Sequence, residues 1–337
     1  MKQYDVYGIG NALVDTEINT DDAFLSSTQI EKGLMTLVDL EKQNAIIEKL
    51  GEASLKSKRS SGGSAANSII AVSEMGGSSY YSCQVAKDEM GEFYLNDLNA
   101  AGVDCDNFDN LDPNAEGITG KCLVMITPDA ERTMNTYLGI SETLSSANIN
   151  FDALTQSKWF YTEGYLVTSD AARTAVITCK QAAEKAGVKT AISLSDPSMV
   201  EFFKEGLLEM IGTGVDLLFA NEEEAIKWTG EEDVHQALSQ LTNIAKSVVI
   251  TLGAEGAIIY DGLQTLTIDP VKVNAIDTNG AGDAFAGAFL YAINNGYDYQ
   301  SAGKIASATA AKVVSQYGAR LKKEQYQALA SEYEAVA

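Results

Sequence analysis

Residues 277–283, with the sequence DTNGAGD, have the types and the spacing needed to hold a phosphate group. The alternating segment before them, 271–276, predicts a strand that enters the core, and the apolar pattern of 284–293 predicts a helix. A strand, a glycine turn and a helix together direct the unpaired N–H groups of the helix's first turn at one point, where the helix dipole also favours an anion. Gly280 and Gly282 would let a phosphate come close to the backbone.

Asp283 is the last residue of this segment, and its carboxylate has two interpretations. A carboxylate beside a phosphate is repelled by it, so a purely structural role there would be costly. A general base placed between an incoming hydroxyl and a phosphoryl group would explain the position. Aspartate is also a good helix N-cap, and the residue types alone do not decide between the two roles.

A second glycine-opened helix is predicted at 62–72, where Gly62 and Gly63 precede a run of small residues and Asn67 lies one turn inside. Glycines at this place would let a ligand approach the backbone. The alternative is close packing of the helix on a sheet, for which small residues are equally suited.

Asn11 and Asp15 follow the first predicted strand, 4–9. The segment 8–15 begins like the dinucleotide fingerprint G-x-G-x-x-G, but Leu13 stands at the third glycine position, and the apolar residues that continue from it indicate a second strand. Open α/β sheets bind ligands beyond the carboxyl ends of their strands, so Asn11 and Asp15 are candidate binding residues. Turn formation by their short polar side chains is the alternative.

The composition is that of a soluble globular protein with an acidic charge balance. Of 337 residues, 45% are hydrophobic and 21% are charged, and 24 Lys and Arg oppose 47 Asp and Glu, for a formal net charge of −23. This charge argues against binding to a nucleic-acid polymer, which requires a basic surface. It does not exclude a small anion such as ATP, because local N–H groups, a metal and one or two cations can hold one.

The cysteines and the apolar segments indicate a cytoplasmic protein. Cys83, Cys105, Cys122 and Cys179 are scattered without a C-x-x-C pair, which is typical of reduced, mostly buried thiols. The N-terminus has no apolar signal core, and no run of about 18 uncharged apolar residues occurs, so we expect no membrane span.

Glycine-rich turns separate alternating strands and helices along most of the chain, which predicts a mostly parallel sheet. Two regions, about 14–38 and 115–139, break this rhythm, and the second contains a predicted hairpin with no helix between its strands. We expect one large α/β domain, residues 1–337, in which insertions at these two places form a small antiparallel β layer that acts as a lid. The basic stretch 51–61 is expected to be a solvated connection.

Taken in order, these motifs resemble those of the ribokinase-like carbohydrate kinases of the phosphofructokinase-B type. Residues 277–283 match the family's C-terminal signature, D-T-x-G-A-G-D, and residues 62–67 match its N-terminal signature. Residues 221–224 match its N-x-x-E motif, and residues 251–256 match its glycine turn on the nucleotide side. The full set in this order is specific, and the resemblance covers nearly the whole chain.

Within that family the sequence looks most like adenosine kinases and their bacterial relatives, through residues 8–15, 62–68 and 132–139. The resemblance implies a three-layer α/β/α ribokinase-like fold with a mostly parallel central sheet and a small antiparallel β lid. It also implies ATP-dependent transfer of the γ-phosphoryl group to a primary hydroxyl of a nucleoside or a ribose-like sugar.

The resemblance assigns the catalytic roles. Asp283 would be the general base, and the N–H groups of Gly280, Ala281 and Gly282 would form an anion hole for the charge of the phosphoryl group. Arg132 lies on the expected lid and could reach the transferred phosphate when the lid closes. A plain surface arginine is the alternative.

The resemblance also assigns the substrate side. Asn11, Asp15, Gly63 and Asn67 match positions that hold sugar hydroxyls in adenosine kinases, and Asp283 would contact the reacting hydroxyl. Amides and a carboxylate suit this task, because a ribose offers a pair of hydroxyls that both donate and accept.

The ATP side is implied by two further motifs together with the glycines of the C-terminal signature. The residues expected to bind ATP are Asn221, Thr251, Gly253, Gly256, Gly280 and Gly282. Asn221 and Glu224 match the motif that positions Mg²⁺, through water molecules, because Mg²⁺ usually keeps several of them. The alternative for Glu224 is a solvated acidic helix start. The family resemblance also leaves room for a monovalent cation near the signature.

Tyr165 and His235 lie outside these motifs. Tyr165, at a predicted strand end, is a candidate for stacking on a base, with an ordinary core tyrosine as the alternative. His235, the only histidine, is expected at the surface, so neither His-dependent catalysis nor a His-rich metal site is predicted. The P-loop motif G-x-x-x-x-G-K-[S/T] does not occur in the sequence, which excludes a P-loop enzyme.

The expected function is that of an ATP-dependent kinase acting on a nucleoside of the adenosine type, as a monomer or a homodimer. A sugar kinase of the ribokinase or fructokinase type is one alternative, and a non-catalytic sensor of nucleotides or nucleosides is another. Asp283 argues against the sensor, because a sensor has no need for a carboxylate beside the phosphates.

Overall fold

The computed structural model describes residues 3–51, 58–112, 115–129 and 131–334. The strands are β1 (Tyr4–Ile9), β2 (Leu13–Asn19), β3 (Met35–Leu37), β4 (Lys58–Gly62), β5 (Ser79–Ser82), β6 (Val103–Cys105), β7 (Gly120–Ile126), β8 (Arg132–Tyr137), β9 (Ser157–Glu163), β10 (Lys189–Ser193), β11 (Val215–Asn221), β12 (Ala245–Thr251), β13 (Ala257–Tyr260) and β14 (Thr265–Ile268). The α-helices are α1 (Asp22–Ser27), α2 (Leu40–Leu50), α3 (Ser64–Glu74), α4 (Glu89–Ala100), α5 (Phe151–Thr155), α6 (Asp170–Lys185), α7 (Pro197–Ile211), α8 (Glu222–Thr229), α9 (Val234–Leu241), α10 (Ala281–Asn294), α11 (Tyr299–Val314) and α12 (Lys323–Glu334).

The large sheet has the strand order β14-β13-β12-β11-β10-β9-β1-β5-β6. Strands β12 to β6 of this order run parallel, and β13 and β14 add an antiparallel edge. Its central strands are apolar on both faces, as in β12, where Val248, Val249 and Ile250 are all fully buried. A continuous apolar run of this kind is typical of a parallel strand with helices on both sides.

Two hydrophobic clusters cover the two faces of this sheet. Neighbouring strand residues alternate between them: Tyr161 and Leu217 belong to the cluster that includes α3, α10 and α11, whereas Phe160 and Leu218 belong to the cluster that includes α6, α7 and α9. The chain therefore has the expected three-layer α/β/α architecture.

A second, five-stranded sheet has the order β3-β8-β7-β2-β4, and we call it the lid sheet. Two of its pairings are antiparallel, β7 with β8 and β2 with β4, and two are parallel, β2 with β7 and β3 with β8. Leu123 and Met125 on one face pack against α1 and α2, whereas Cys122 and Val124 on the other face belong to a separate apolar cluster. The insertions at about 14–38 and 115–139 supply most of this sheet.

Two local predictions are wrong. The basic stretch 51–61 is expected to be a solvated connection, but its residues 58–61 belong to β4, which pairs with β2 along its whole length. Residues 52–57 lie outside the described part of the chain. Residues 271–276, expected to be a strand entering the core, form no strand and are exposed. The polar composition of β4 did not indicate a strand, because its hydrogen-bonding partner β2 lies far away in the sequence. Residues 271–276 have an alternating pattern, but no strand lies beside them to pair with.

The cysteines are unpaired, as expected, and Cys122 and Cys179 are buried. None of the helices in the described part of the chain is both long and apolar enough to cross a membrane.

Candidate active site

The site lies where the order of the large sheet reverses. In the large sheet, β5 and β6 follow β1 on one side. On the other side of β1 lies β9, which is followed by β10, β11 and β12. A crevice forms beyond the carboxyl ends of the strands at such a switch point, and it is the usual ligand site of open α/β sheets. Between Ile9 and Leu13 the chain also crosses from the large sheet into the lid sheet, so Asn11 lies at the junction of the two sheets.

Glu163, the last residue of β9, organises this junction. One carboxylate oxygen accepts hydrogen bonds from the backbone N–H and the side-chain Nδ2 of Asn11, at 2.9 and 3.0 Å, and the other accepts from the N–H of Ala65, at 2.7 Å. Burial raises the pKa of Glu163 to about 7, against the lowering effect of these bonds. Glu163 is not among the residues predicted from the sequence, although its carboxylate at the end of an apolar strand was an available signal.

Asp15 lies on β2 of the lid sheet and is buried. Gly62, which pairs with Leu13 in the β2–β4 ladder, lies against the Asp15 carboxylate, and a side chain at Gly62 would collide with it, so this position of the carboxylate requires glycine. Burial raises the pKa of Asp15 to about 7; the positive charge of Arg320 opposes the shift and the negative charge of Glu17 adds to it.

Asn67, in the first turns of α3, points from the large domain toward the same place. Its Nδ2 donates to Oδ2 of Asp283 at 3.0 Å, and its Oδ1 is buried without a hydrogen-bond partner in the described part of the chain. A buried amide oxygen without a partner is costly, unless a ligand hydroxyl donates to it. The alternative that this helix has small residues only for packing does not account for that oxygen.

Asp283 is not the N-cap of α10, so the capping interpretation is wrong. The N-cap is Gly280, and Asp283 lies in the first turn, where its Oδ1 accepts from the hydroxyl of Ser64 at 2.6 Å. Burial raises the pKa of Asp283 to about 6, and the bonds from Ser64 and Asn67 hold it lower than burial alone would. A carboxylate with such a pKa can accept a proton near neutral pH.

The backbone beside Asp283 is open toward the cavity. Gly280 has a φ of +74°, and a side chain there would collide with the carbonyl of Ala319. A Cβ at Gly282, in contrast, would meet no described atom within 4 Å. The protein's own packing therefore leaves space at Gly282 that a ligand can fill, and the N–H of Ala281 makes only a long bond of 3.4 Å to the carbonyl of Thr278.

Arg132 is buried, so the surface-arginine alternative is wrong. Its Nε and Nη2 donate to the two carboxylate oxygens of Asp277. Asp277 is the first residue of residues 277–283, which we call the signature loop. Nη2 also lies 3.5 Å from Glu17, and Nη1 is buried without a partner in the described part of the chain. The side chain thus joins β8 of the lid sheet to the signature loop and keeps one donor available.

The N-x-x-E motif forms a capping box at the start of α8. The side chain of Asn221 accepts from the N–H of Glu224 at 2.8 Å, and the Glu224 carboxylate accepts from the N–H and Nδ2 of Asn221. Glu224 is buried, unlike the exposed Glu222 and Glu223, so a solvated helix start is the wrong description of Glu224. Burial raises the pKa of Glu224 to about 8, and the nearby carboxylate of Asp196 adds to the shift.

A single cavity of about 470 Å³ joins these groups. The sequence-predicted residues in its wall are Asn11, Asp15, Gly63, Asn67, Arg132, Tyr165, Asn221, Glu224, Thr251, Gly253, Gly280, Ala281, Gly282 and Asp283. Gly256 is not part of the wall and lies in the turn between β12 and β13. The lid sheet and the residue directly after β8 contribute an apolar wall that was not predicted from the sequence: Leu13, Met35, Leu37, Cys122, Met134 and Leu138.

The family model of the pfkB family carbohydrate kinases matches residues 36–325 of this chain. The protein belongs to that family. It is therefore a sugar or nucleoside kinase, a phosphotransferase with a hydroxyl group as acceptor, of a family that uses ATP.

Among solved structures, this pfkB-family kinase is similar to adenosine kinase from Sinorhizobium meliloti, with 33% identity and a TM-score of 0.90, covering 99% of this chain and 100% of that one. It is also similar to a probable sugar kinase from Rhizobium etli, with 30% identity and a TM-score of 0.91, covering 100% and 99%. Adenosine kinase of Saccharomyces cerevisiae is 26% identical over 313 residues, which are 87% of this chain and 89% of that protein.

Tyr165 and His235 of the kinase lie in different surroundings. Tyr165 is partly buried, and its hydroxyl donates to the carbonyl of Ser195 at 3.3 Å. The side chain packs against the core on one side and lines the cavity on the other. His235 is exposed, as predicted.

Proposed function

We propose that this kinase transfers the γ-phosphoryl group of ATP to the primary hydroxyl of a nucleoside of the adenosine type. The observation that carries the proposal is the position of Asp283. Its carboxylate lies in the first turn of α10, beside the open backbone of Gly282 and in the wall of the cavity. A proton acceptor and an anion-binding helix start thus meet at one point, as transfer to a hydroxyl requires.

In the proposed step, the Asp283 carboxylate takes the proton of the acceptor hydroxyl. The hydroxyl oxygen bonds to the γ-phosphorus as the bond from that phosphorus to the bridging oxygen of ADP breaks, and ADP leaves with the electron pair. The N–H groups of Gly280, Ala281 and Gly282 stabilise the charge on the transferred group. Arg132, through its unpartnered Nη1, supplies a further donor toward the same phosphate.

The acceptor is held from two sides. Asn67 Oδ1, buried and unpartnered, accepts from a ribose hydroxyl, and the ionised Asp15 carboxylate accepts from the neighbouring hydroxyl. Glu163 holds Asn11 at the same rim through two hydrogen bonds. This set of acceptors suits a diol whose primary hydroxyl points at Asp283.

The apolar wall of the lid sheet favours a nucleoside over a free sugar. Met35, Met134 and Leu138 face the cavity beside the polar floor, and Tyr165 lines it as well. A sugar presents hydroxyls on all sides, which an apolar wall would leave without partners, whereas a nucleobase presents flat, largely apolar faces. The likeness to adenosine kinases from Sinorhizobium meliloti and Saccharomyces cerevisiae supports the same choice.

The residues at the start of α8 fit a Mg²⁺ ion that accompanies ATP. Glu224 supplies a buried carboxylate whose charge is disfavoured by burial and by Asp196, so a nearby cation would stabilise it. Among the residues that the structure describes, no group of three or more His, Cys, Asp or Glu side chains could hold a metal by itself. Asn221 and Glu224 would hold the ion through water molecules, and the ion would neutralise phosphate charge.

The test is ATP turnover over a panel of nucleosides and sugars, for the wild type and for Asp283→Asn. We expect phosphorylation of a nucleoside, with kcat/KM above that of ribose or fructose. Asp283→Asn should lower kcat by about 10²- to 10⁴-fold, because it removes the base. Asp269→Asn, which changes an exposed carboxylate between β14 and the signature loop, is the matched control and should behave as wild type.

A full-activity Asp283→Asn variant would exclude the proposed base. A preference for ribose or fructose would move the protein to the sugar kinases of its family, and nucleoside binding without turnover of any acceptor would favour a sensor.

A further inference from the structure

Ser64 is the first residue of α3, directly after the N-cap Gly63. A serine at a helix start commonly bonds to the backbone of its own helix. Ser64 instead directs its hydroxyl to α10, where it donates to Oδ1 of Asp283 at 2.6 Å. The Ser64 hydroxyl is therefore committed to the proposed base.

Asn67 completes the contact one turn later on the same helix, where its Nδ2 donates to Oδ2 of Asp283 at 3.0 Å. Residues three apart on a helix share one face, so Ser64 and Asn67 reach the two oxygens of one carboxylate together. Two donors fixed on one helix define the plane of the carboxylate, and each oxygen keeps a further lone pair.

We propose that Ser64 is a positioning residue for phosphoryl transfer: it holds Oδ1 of Asp283 so that the base presents a fixed oxygen to the acceptor hydroxyl. This inference rests on the proposed function of Asp283 as the base. Ser64 acts through Asp283 and need not contact the substrate.

The surroundings of Asp283 explain why such a donor is needed. The titratable side chains that face it are Asp15, Tyr161, Glu163, Tyr165, Glu224 and Tyr326. Of these, the carboxylates of Asp15, Glu163 and Glu224 disfavour a negative charge on Asp283 when they are ionised, whereas the tyrosines are uncharged near neutral pH. The hydrogen bonds from Ser64 and Asn67 are the contacts that lower the pKa of Asp283 against its burial.

The kinetic test compares Ser64→Ala, Ser64→Thr and Ser73→Ala. Ser64→Ala should lower kcat about 10-fold, because a hydrogen bond to a charged group is lost, while KM for the nucleoside changes little. Its rise of kcat with pH should move to higher pH. Ser64→Thr keeps a hydroxyl and should restore both kcat and the pH at which kcat rises. Ser73→Ala removes a hydroxyl that is bonded to Ser79 at the far end of α3, and it should match the wild type.

A second measurement does not depend on turnover. The ¹³Cγ signal of Asp283, identified by its loss in Asp283→Asn, is titrated in the ligand-free wild type and in Ser64→Ala. A higher pKa of Asp283 in Ser64→Ala supports the proposal, and an unchanged pKa overturns it. If Ser64→Ala does not fold, Ser64→Cys, similar in size and a weaker donor, takes its place in both measurements.

The two proposals fail in different ways. A Ser64→Ala enzyme with wild-type kcat and pH profile, beside an inactive Asp283→Asn enzyme, would overturn the role of Ser64 and leave the kinase mechanism intact. A fully active Asp283→Asn enzyme would overturn the mechanism itself, and with it the role of Ser64 in catalysis.

Discussion

Arg132 and Asp277, 145 positions apart in the chain, form a two-pronged ion pair that joins the lid sheet to the signature loop. The Asp277 side chain is completely buried and that of Arg132 is 5% exposed. Asp277 also accepts from the N–H of Asn279 at 3.0 Å and from the N–H of Gly318 at 2.7 Å. The loop that carries the proposed base is thereby attached both to β8 and to the segment after α11.

The pair should contribute strongly to stability. Arg132→Ala leaves the Asp277 carboxylate buried without a cation, and we expect the free energy of unfolding to fall by about 3–5 kcal/mol. The free energy of unfolding of Arg132→Lys should lie between those of the wild type and Arg132→Ala, because an ammonium group keeps the charge but cannot make the two-pronged contact. Urea unfolding of the ligand-free protein measures both.

Lys32→Ala is the matched control, since Lys32 contacts the exposed Asp22 and Asp129 at 2.8 and 2.6 Å on the lid sheet's periphery. It should leave the urea midpoint nearly unchanged, as exposed ion pairs stabilise little. Equal losses for Arg132→Ala and Lys32→Ala would contradict the importance of the buried pair.

Activity should not require a monovalent cation at Asp277. The carboxylate already accepts from two guanidinium nitrogens and two backbone N–H groups, so both its charge and its lone pairs have partners. We expect kcat to agree in potassium chloride and in tetramethylammonium chloride at equal ionic strength. A strong, saturable activation by K⁺ alone would show that a cation enters the loop despite these donors.

Substrate affinity should depend on pH through Asp15. Its pKa is raised to about 7, so the carboxylate is protonated below that value and loses acceptor capacity. KM for the nucleoside should therefore fall as the pH rises through about 7, whereas kcat should rise through about 6, where Asp283 ionises. Steady-state kinetics as a function of pH separate the two effects.

Asp15→Asn should abolish the change of KM near pH 7. It should also raise KM by about 10- to 100-fold, which corresponds to the usual contribution of a hydrogen bond to a charged group. Asp22→Asn changes an exposed carboxylate of the same insertion and should leave KM as in the wild type. Retention of the KM profile in Asp15→Asn would remove Asp15 from the diol site.

The apolar wall of the lid sheet should determine selectivity for the base. Met134→Ala removes part of that wall. We expect KM for the nucleoside to rise about 10-fold while KM for ribose stays unchanged, because the proposed function places ribose at Asn67 and Asp15 and the base at the apolar wall. Leu263→Ala, at a side chain 92% exposed between β13 and β14, is the control. Equal losses for nucleoside and ribose would mean that Met134 supports the sheet rather than the base.

The sequence by itself determined the order of the elements and the chemistry of the motifs. Apolar runs such as β12 and glycine turns such as 277–283 carry local signals, because helix starts, turns and buried strands depend on neighbouring residues. The residues drawn from these motifs came together in one cavity, apart from Gly256. The same local signals left a helix-cap role open for Asp283. The structure excludes that role, because Gly280 is the N-cap and the Asp283 carboxylate instead accepts from Ser64 and Asn67, more than 200 positions earlier.

Only the tertiary structure decided which segments pair and which charges are buried. Residues 271–276 alternate like a strand yet lie exposed, whereas the polar β4 is a strand because β2 offers it hydrogen bonds. A strand is stabilised by hydrogen bonds to a neighbouring strand, and the local sequence pattern does not predict which segment that neighbour will be. For the same reason the burial of Arg132 became visible only when Asp277 was placed against it, because a charged side chain leaves water only where a partner of opposite charge receives it.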